Sequence, residues 1–476
     1  MKESKHKRVV RELFDHLAAQ RKNWLRRNAF FYEDDTRYLS FLIPKGKRVL
    51  EIGCGVGQLL DSVGPAYGVG VDVSANMVSI AQRDFPHLTF KCADIEDPQT
   101  LANLGGPFDF IIISDVIGHL EDVEEVLTNL NSLCNSETRI IITFFNQYWE
   151  PILKLGAKMG MCMPSTTQNW LTSEQIMSFL FLADLELVRQ EWRQILPIRL
   201  FGFGKVLNRY VATLPILRSL CLRKIFIARS VPECKQKELS TTIVIPCRNE
   251  FGNIENVVRR IPDFCKDLEI IFVEGNSQDE TFAEIQRVIA AYPERDIKIF
   301  KQTGKDKGDA VRLGFQQARG ELLMILDADL SVPPEDLPKF YKAMVKNKGE
   351  FINGSRLIYP MENEAMRTLN LWANMVFSYL FTWLLNQRVS DTLCGTKVLS
   401  KRSYEQIAKN RHYFGDFDPF GDFDLLFGAA KSSLKIIEVP IRYRARTYGE
   451  TQISRFRHGI LLFRMVVFAF KKLKAL

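Results

Sequence analysis

Short runs of consecutive apolar residues, rich in Val, Ile and Phe, recur along the chain and alternate with segments whose apolar positions fall three or four apart. The runs predict buried β-strands, the wider spacing predicts helices with one buried face, and their alternation predicts α/β layers on parallel strands. The alternation occurs twice. One series comprises RVLEIG (48–53), YGVGVD (67–72), FDFIII (108–113) and RIIITFF (139–145), with helical segments such as SANMVSIAQRDF (74–85) and EDVEEVLTNLNSL (121–133) between them. The other comprises TTIVIP (241–246), LEIIFV (268–273), IKIF (297–300) and LLMILDAD (322–329). A basic and apolar stretch separates the two series and ends in the polar segment ARSVPECKQKE (228–238). Two domains are therefore expected, over residues 1–235 and 236–476. No internal repeat or low-complexity tract is present.

Composition agrees with this division. A chain of 476 residues is too long for one ordinary core, and 46% hydrophobic with 25% charged residues excludes disorder on a large scale. A net charge of +8 is too modest to imply nucleic acid, and no such partner is expected. Nine scattered cysteines without a C-x-x-C pair argue against a disulfide framework and a structural zinc site. The opening MKESKHKRVVRELF lacks the apolar stretch of a secretory signal, and no uncharged apolar run reaches the ~18 residues of a spanning helix, so a cytoplasmic location is expected. Two windows are membrane-friendly: Leu369–Leu385, and Gly459–Phe470 followed by KKLK. Each reads either as a buried helix or as one lying on the membrane's inner face, and the basic rim of the second favours peripheral contact.

Candidate chemistry begins after RVLEIG. Gly53, Gly55 and Gly57 form a tight turn into a helix, where glycines let the backbone approach a ligand and leave helix-start N–H groups available. Asp72 ends the next strand, some 20 residues on, where an acid can accept ribose hydroxyls. Asp94 ends the following strand, placed to meet an adenine amino group. A dinucleotide oxidoreductase is the rival for a glycine turn plus an acid. The motifs VLEIGCGVGQ, GVDVS, CADIED and FDFIIISDVIGHLED resemble those of class I S-adenosylmethionine-dependent methyltransferases, a likeness that covers about residues 40–195 and includes LTSEQIMSFLFLADLELVRQE (171–191). The resemblance implies a Rossmann-like domain in which Glu51 and the glycines line the methionine side, Asp72 takes the ribose, and Asp94 with Ile95 frames the adenine. Asp115, counted with the cofactor-binding set, and His119 follow the fourth strand at the mouth where a methyl acceptor would lie. A histidine there can act as general base or be a structural partner.

In the second series, TTIVIP runs into Cys247-Arg248-Asn249-Glu250 and a helix; VEGNSQDET (273–281) again joins strand to helix; and KDKGDAVRLGF (305–315) sets Lys305 and Lys307 at a helix start suited to phosphate. Asp327 and Asp329 end the strand LLMIL. Strand side chains alternate with period two, so both carboxylates are expected on one side of the pleat, bridged by Mg²⁺ or Mn²⁺ shared with a diphosphate. In this order the four elements resemble family 2 glycosyltransferases of GT-A fold over about residues 240–455, and within them the dolichyl- or polyprenyl-phosphate sugar synthases. The resemblance implies nucleotide-sugar contacts from Pro246, Asn249, Glu250, Glu274, Lys307 and Asp327, with Asp327 and Asp329 on the metal. The usual acidic pair of the second motif is Glu274-Gly275 here, which leaves open whether uracil or guanine is read. NGSR (353–356), SDTLCGTKVLSKR (390–402), FGDFDLLFGAA (420–430) and EVPIRYRARTYGETQIS (438–454) extend the likeness. Asp424 or Asp422 is expected as the acid near the acceptor, and Arg356, Arg367 and Arg446 as phosphate holders.

These readings combine into a bifunctional enzyme of glycan or glycolipid synthesis. It would use S-adenosylmethionine, a divalent metal and a nucleotide-sugar, and act on a lipid-linked or glycan acceptor. Rival readings make the first half a non-catalytic cofactor-binding module, make the second an inactive glycan-binding platform, or assign the two halves unrelated substrates.

Overall fold

The computed structural model describes residues 4–164, 168–231, 238–304, 306–357, 368–414, 423–444, 448 and 455–475. The chain divides into two compact units, Met1–Pro232 with Lys474–Leu476, and Glu233–Leu473. Both are α/β, each built on a seven-stranded sheet.

Unit 1 opens with the helices α1 (Lys5–Arg27) and α2 (Ala29–Leu42). Its seven strands are β1 (Arg48–Ile52), β2 (Tyr67–Asp72), β3 (Thr89–Cys92), β4 (Phe110–Ser114), β5 (Arg139–Phe145), β6 (Leu185–Arg193) and β7 (Arg223–Ser230). They lie in the order β3-β2-β1-β4-β5-β7-β6, parallel except for β7, which runs antiparallel to both its neighbours. The central strands are apolar on both faces because helices cover both. The unit's remaining helices are α3 (Gln58–Ser62), α4 (Ala75–Asp84), α5 (Pro98–Ala102), α6 (Val123–Asn129), α7 (Glu150–Lys158), α8 (Ser173–Leu182) and α9 (Phe203–Val206). Local chemistry sets their starts: Ser74 accepts the Met77 N–H, Asp122 accepts that of Glu125, and Thr172 with Gln175 forms a reciprocal capping box. β7 lies inside the stretch read from sequence as a basic separator. Its Arg223 and Arg229 are buried, paired with Asp35 and Asp115 and with Glu186 respectively.

Unit 2 has a mixed sheet of β8 (Thr241–Cys247), β9 (Leu268–Glu274), β10 (Asp296–Lys301), β11 (Leu322–Ile325), β12 (Phe351–Ser355), β13 (Lys397–Ser400) and β14 (Ile436–Pro440). Their order is β10-β9-β8-β11-β13-β12-β14, with β13 antiparallel to β11 and β12. Its helices are α10 (Ile254–Arg260), α11 (Thr281–Ala291), α12 (Lys307–Gln317), α13 (Leu337–Val345), α14 (Thr368–Leu385), α15 (Lys401–Lys409), α16 (Phe423–Lys431) and α17 (Arg455–Ala469). The two membrane-friendly windows form α14 and α17, which pack on each other, with Trp383 stacked on Phe470 at 5.6 Å. Among the described residues, no helix is long and apolar enough to cross a membrane.

Candidate functional sites in the two units

In unit 1, the carboxyl ends of β1, β2 and β4 open on a cavity of about 1030 Å³. The turn after β1 is built from left-handed glycines, Gly53 at φ 72° and Gly55 at φ 51°. A Cβ at Gly53 would overlap the Val116 side chain, whereas one at Gly55 would meet no atom within 4 Å. Asp72 fixes the turn: its Oδ2 accepts the Gly55 N–H at 2.8 Å and its Oδ1 the Ser74 N–H at 2.9 Å. Burial raises its pKa, against the pull of those two N–H groups and Arg21.

Gly53, Gly55, Asp72, Asp94, Ile95, Asp115 and His119 line the cavity; Glu51 and Gly57 do not. Glu51, one residue before the lining Ile52, is buried, and burial, with Asp72 nearby, pushes its pKa up to about 8. Gly57 faces inward, where a Cβ would meet the Phe90 ring at 2.7 Å. Asp94 is engaged by Lys7, whose Nζ lies 2.8 Å from it and 3.0 Å from Glu96. Asp115, in a left-handed conformation, is bound by Arg223. His119 sits edge-on to Phe14 at 5.6 Å, and burial lowers its pKa against the opposing charge of Asp115.

Sequence reasoning missed one wall of this cavity. Lys7, Val10, Arg11, Phe14 and Arg21 reach it from α1, and Tyr32 from α2, upstream of every motif. The available signal was the helical spacing of Val10, Leu17 and Leu25, all buried. α1 is tied down where Asp15 accepts the Ser74 hydroxyl at 2.6 Å and the Asn76 N–H at 3.1 Å.

In unit 2, the loops after β8 and β9 interlock. The Asn249 N–H donates to Ser277 Oγ at 3.0 Å, and Asn249 Oδ1 accepts the Gln278 N–H at 2.8 Å. Glu274 accepts the Ser277 N–H. The Glu250 N–H donates to Thr281 Oγ1 at 2.9 Å, and Glu250 Oε2 accepts from Asn253 at 2.6 Å. Pro246 lies in β8 just before this pair of loops.

β11 ends at Ile325, so Asp327 and Asp329 lie in the following turn rather than on the pleat. That turn, closed by Leu330 at φ 57°, and not strand alternation, orients the two carboxylates. Lys307, at the start of α12, pairs with Asp327 at 2.6 Å. Burial alone would raise the pKa of Asp327, but Lys307, with Lys397 and Arg356, holds it below the usual value. Asp329 Oδ1 accepts both the N–H of Ser331, at 3.0 Å, and its hydroxyl, at 2.7 Å. Gly395 closes this group: a Cβ there would fall on Asp327 Oδ2, 2.6 Å from Lys307 Nζ. Gly395 lies within a motif that sequence reasoning matched, yet nothing in sequence marked its close approach.

Two acceptor-side residues are held in ion pairs. Arg356 is a structural partner of Asp391, donating through Nε at 2.6 Å and Nη2 at 2.8 Å, and its guanidinium lies over Tyr443 at 5.0 Å. A buried carboxylate demands such a partner, and the same guanidinium also helps hold the pKa of Asp327 down, so Arg356 stands between Asp391 and the donor-side group. Asp424, in the first turn of α16, receives Arg411 Nε at 3.1 Å and faces Arg312 Nη1 at 3.8 Å; burial raises its pKa while both arginines oppose the shift. It is thus joined to the middle of α12, whereas Asp327 is joined to its start. Lys305, Arg367, Asp422 and Arg446 lie outside the described residues.

Comparison with known proteins follows the same division. Residues 242–408 match the model of glycosyl transferase family 2, and residues 24–190 match a methyltransferase domain model. The dolichol-phosphate mannosyltransferase of Pyrococcus furiosus is 30% identical over 225 residues, covering 45% of this chain and 60% of that protein. The dolichol-phosphate mannosyltransferase of Saccharomyces cerevisiae is 32% identical over 233 residues, covering 45% of this chain and 80% of that protein. Among solved structures, a SAM-dependent methyltransferase of Thermotoga maritima aligns at TM-score 0.36 and 16% identity, over 46% of this chain and 99% of that one.

Proposed function

Because this chain belongs, through its second unit, to the family 2 glycosyltransferases and carries a methyltransferase domain in its first, we propose that it is a bifunctional transferase of glycan or glycolipid synthesis. Unit 2 passes a sugar from a nucleotide-activated donor to a lipid-phosphate or glycan acceptor, with inversion. Unit 1 passes a methyl group from S-adenosylmethionine to an acceptor hydroxyl.

The observation that carries the sugar-transfer reading is the convergence of Asp327, Lys307 and Gly395 beside the loops of Asn249 and Glu274. Asp327, held ionised by its neighbouring cations, and Asp329 are hard oxygen donors, the kind that fit Mg²⁺ or Mn²⁺. Such an ion neutralises a departing diphosphate. Pro246, Asn249, Glu250 and Glu274 hold the nucleoside, and Lys307 holds the diphosphate from a helix start. Asp424 or Asp422 is the acid near the acceptor, and Arg356, Arg367 and Arg446 bind an acceptor phosphate. A lipid-borne acceptor is supported by the apolar side chains that α14 and α17 expose, Val376 and Tyr379 on one and Ile460 and Phe463 on the other. They suit peripheral contact with a membrane.

In unit 1 the residues fit S-adenosylmethionine. Gly55 leaves the turn open for close approach, Asp72 borders the cavity for the ribose, and Asp94 with Ile95 borders it for the adenine. As the acceptor oxygen bonds the methyl carbon and the sulfur–carbon bond breaks, His119, kept neutral by burial, takes the hydroxyl proton. The test is turnover by the full chain with labelled S-adenosylmethionine and a panel of UDP- and GDP-sugars, in the presence of Mg²⁺ or Mn²⁺ and membrane lipid. Sugar label in the lipid phase and release of S-adenosylhomocysteine are expected; sugar turnover without lipid product would move the acceptor to a soluble glycan.

A further inference from the structure

In unit 1, α7 is a two-faced helix. Leu153, Lys154, Ala157 and Lys158 line the cavity, while Ile152 and Leu155, with Met159 just past its end, face solvent, Met159 at 65% exposure. The segment from Ile198 to Leu220 is tied at its end to the start of that helix. Trp149 Nε1 donates to the Leu220 carbonyl at 2.9 Å, and Asn146 Nδ2 donates to the carbonyls of Ser219 and Cys221, each at 2.9 Å, which seats the end of the segment against the start of α7. The segment presents Phe201 at 110% and Ile216 at 85% exposure, with Phe203 and Val206 also exposed. Leu200 and Phe201, at φ 38° and 55°, hold bulky side chains in a left-handed conformation that such residues rarely adopt.

Single exposed apolar side chains need no explanation, but a joined set of them does. Charge selects what covers it. From Trp192 to Pro232 the chain contains no Asp or Glu, yet it carries Arg199, Lys205, Arg209 and Arg218, and α7 adds Lys154 and Lys158 against the single acid Glu150. Two of these bases meet acids, Arg199 the exposed Glu33 at 2.9 Å and Lys154 the Glu150 carboxylate at 2.6 Å, and the rim stays net basic; aromatic and aliphatic side chains within a net-basic rim match the headgroup boundary of an anionic bilayer.

We propose that unit 1 docks on an anionic lipid surface through α7 and residues 198–220. This places the cavity wall formed by α7 at the bilayer, so that the methyl acceptor is a membrane-borne molecule. The second statement rests on the methyl-transfer reading of the cavity; the docking does not.

The experiment is sedimentation of the full chain with vesicles of phosphatidylcholine alone or mixed equally with phosphatidylglycerol. Val376→Ser, Tyr379→Ser and Phe463→Ser are combined as a background, to silence the apolar face of unit 2. The background chain is expected to sediment with the anionic vesicles only. Adding Phe201→Ser, Phe203→Ser and Ile216→Ser lowers its partition coefficient by on the order of 100-fold. Lys205→Glu, which leaves every apolar side chain in place, lowers it several-fold at low salt and less at high salt. The proposal is overturned if the background chain binds neither vesicle, if the unit 1 substitutions leave binding unchanged, or if they instead dissociate a vesicle-free dimer, which would assign the surface to a second copy. In the same samples, methyl label entering a vesicle-borne acceptor supports the acceptor's class. Docking without any conversion of S-adenosylmethionine overturns the methyl-transfer reading and leaves the docking standing.

Discussion

Replacing Gly395 with alanine puts one methyl group into the space shared by Asp327 and Lys307. The new Cβ falls on Asp327 Oδ2 and within 2.6 Å of Lys307 Nζ and 2.8 Å of Asp327 Cγ, all inside van der Waals contact. The atoms in the way are the ends of flexible side chains, so the carboxylate can rotate aside and the fold survives. The cost is the 2.6 Å ion pair, a charge-assisted hydrogen bond worth ~1.5–3 kcal/mol. More important is the loss of position: displacement of a reacting-site group by ~1 Å costs on the order of 100-fold in rate. Gly395→Ala should therefore reduce sugar turnover about 100-fold while shifting the melting temperature by only a few degrees. Methyl transfer by the same preparation, which uses the other unit, should be unchanged and serves as the internal control. Sugar turnover at the wild-type rate would refute the assignment of Asp327 and Lys307 to the donor diphosphate.

Other outcomes follow from the buried ionisable groups. Glu51 in the folded chain holds its proton up to about pH 8 because it is buried, against an ordinary value of 4.5 when free, so stability should fall as pH rises through that window. Glu51→Gln should melt about 8 °C above wild type at alkaline pH and equal it near pH 5, and equal melting at both would contradict the burial assignment. His119 is lowered from 6.5, so the acidic limb of methyl transfer should lie below that pH. His119→Gln should lose on the order of 100-fold in rate together with the limb, and a fully active variant would make the histidine structural. Arg356→Ala leaves the buried Asp391 carboxylate unpaired and should cost ~3–5 kcal/mol, read as a drop of about 10 °C in the melting temperature of unit 2.

What the sequence made legible was whatever local pattern controls. Continuous apolar runs such as RIIITFF mark strands buried on both faces, and β5 lies centrally in its sheet. Glycine turns and strand-end acids mark ligand sites because the backbone geometry there admits few other residues; Gly53, Gly55 and Asp72 come together accordingly. Contacts between distant segments were not legible. β7 was hidden because RKIFIARS reads as basic, and Asp35, Asp115 and Glu186, far off in sequence, help make its arginines buriable. The pairing of Arg356 with Asp391 was not legible, because nothing in NGSR announces that partner. α1 was missed as a cavity wall because its role depends on docking Asp15 at the start of α4. The orientation of Asp327 and Asp329 depends on a turn whose left-handed residue is Leu330, a residue type that gives no such signal.

The most direct measurement uses the full chain with both donors labelled differently, comparing wild type, Asp327→Ala and Gly53→Ala in the presence of lipid acceptor. Two independent transferase sites predict that wild type transfers both labels. Asp327→Ala should lose sugar transfer and keep methyl transfer, and Gly53→Ala, whose methyl group would overlap Val116, should show the reverse. Sugar transfer that survives Asp327→Ala, or methyl transfer that survives Gly53→Ala, would contradict the placement of that unit's site.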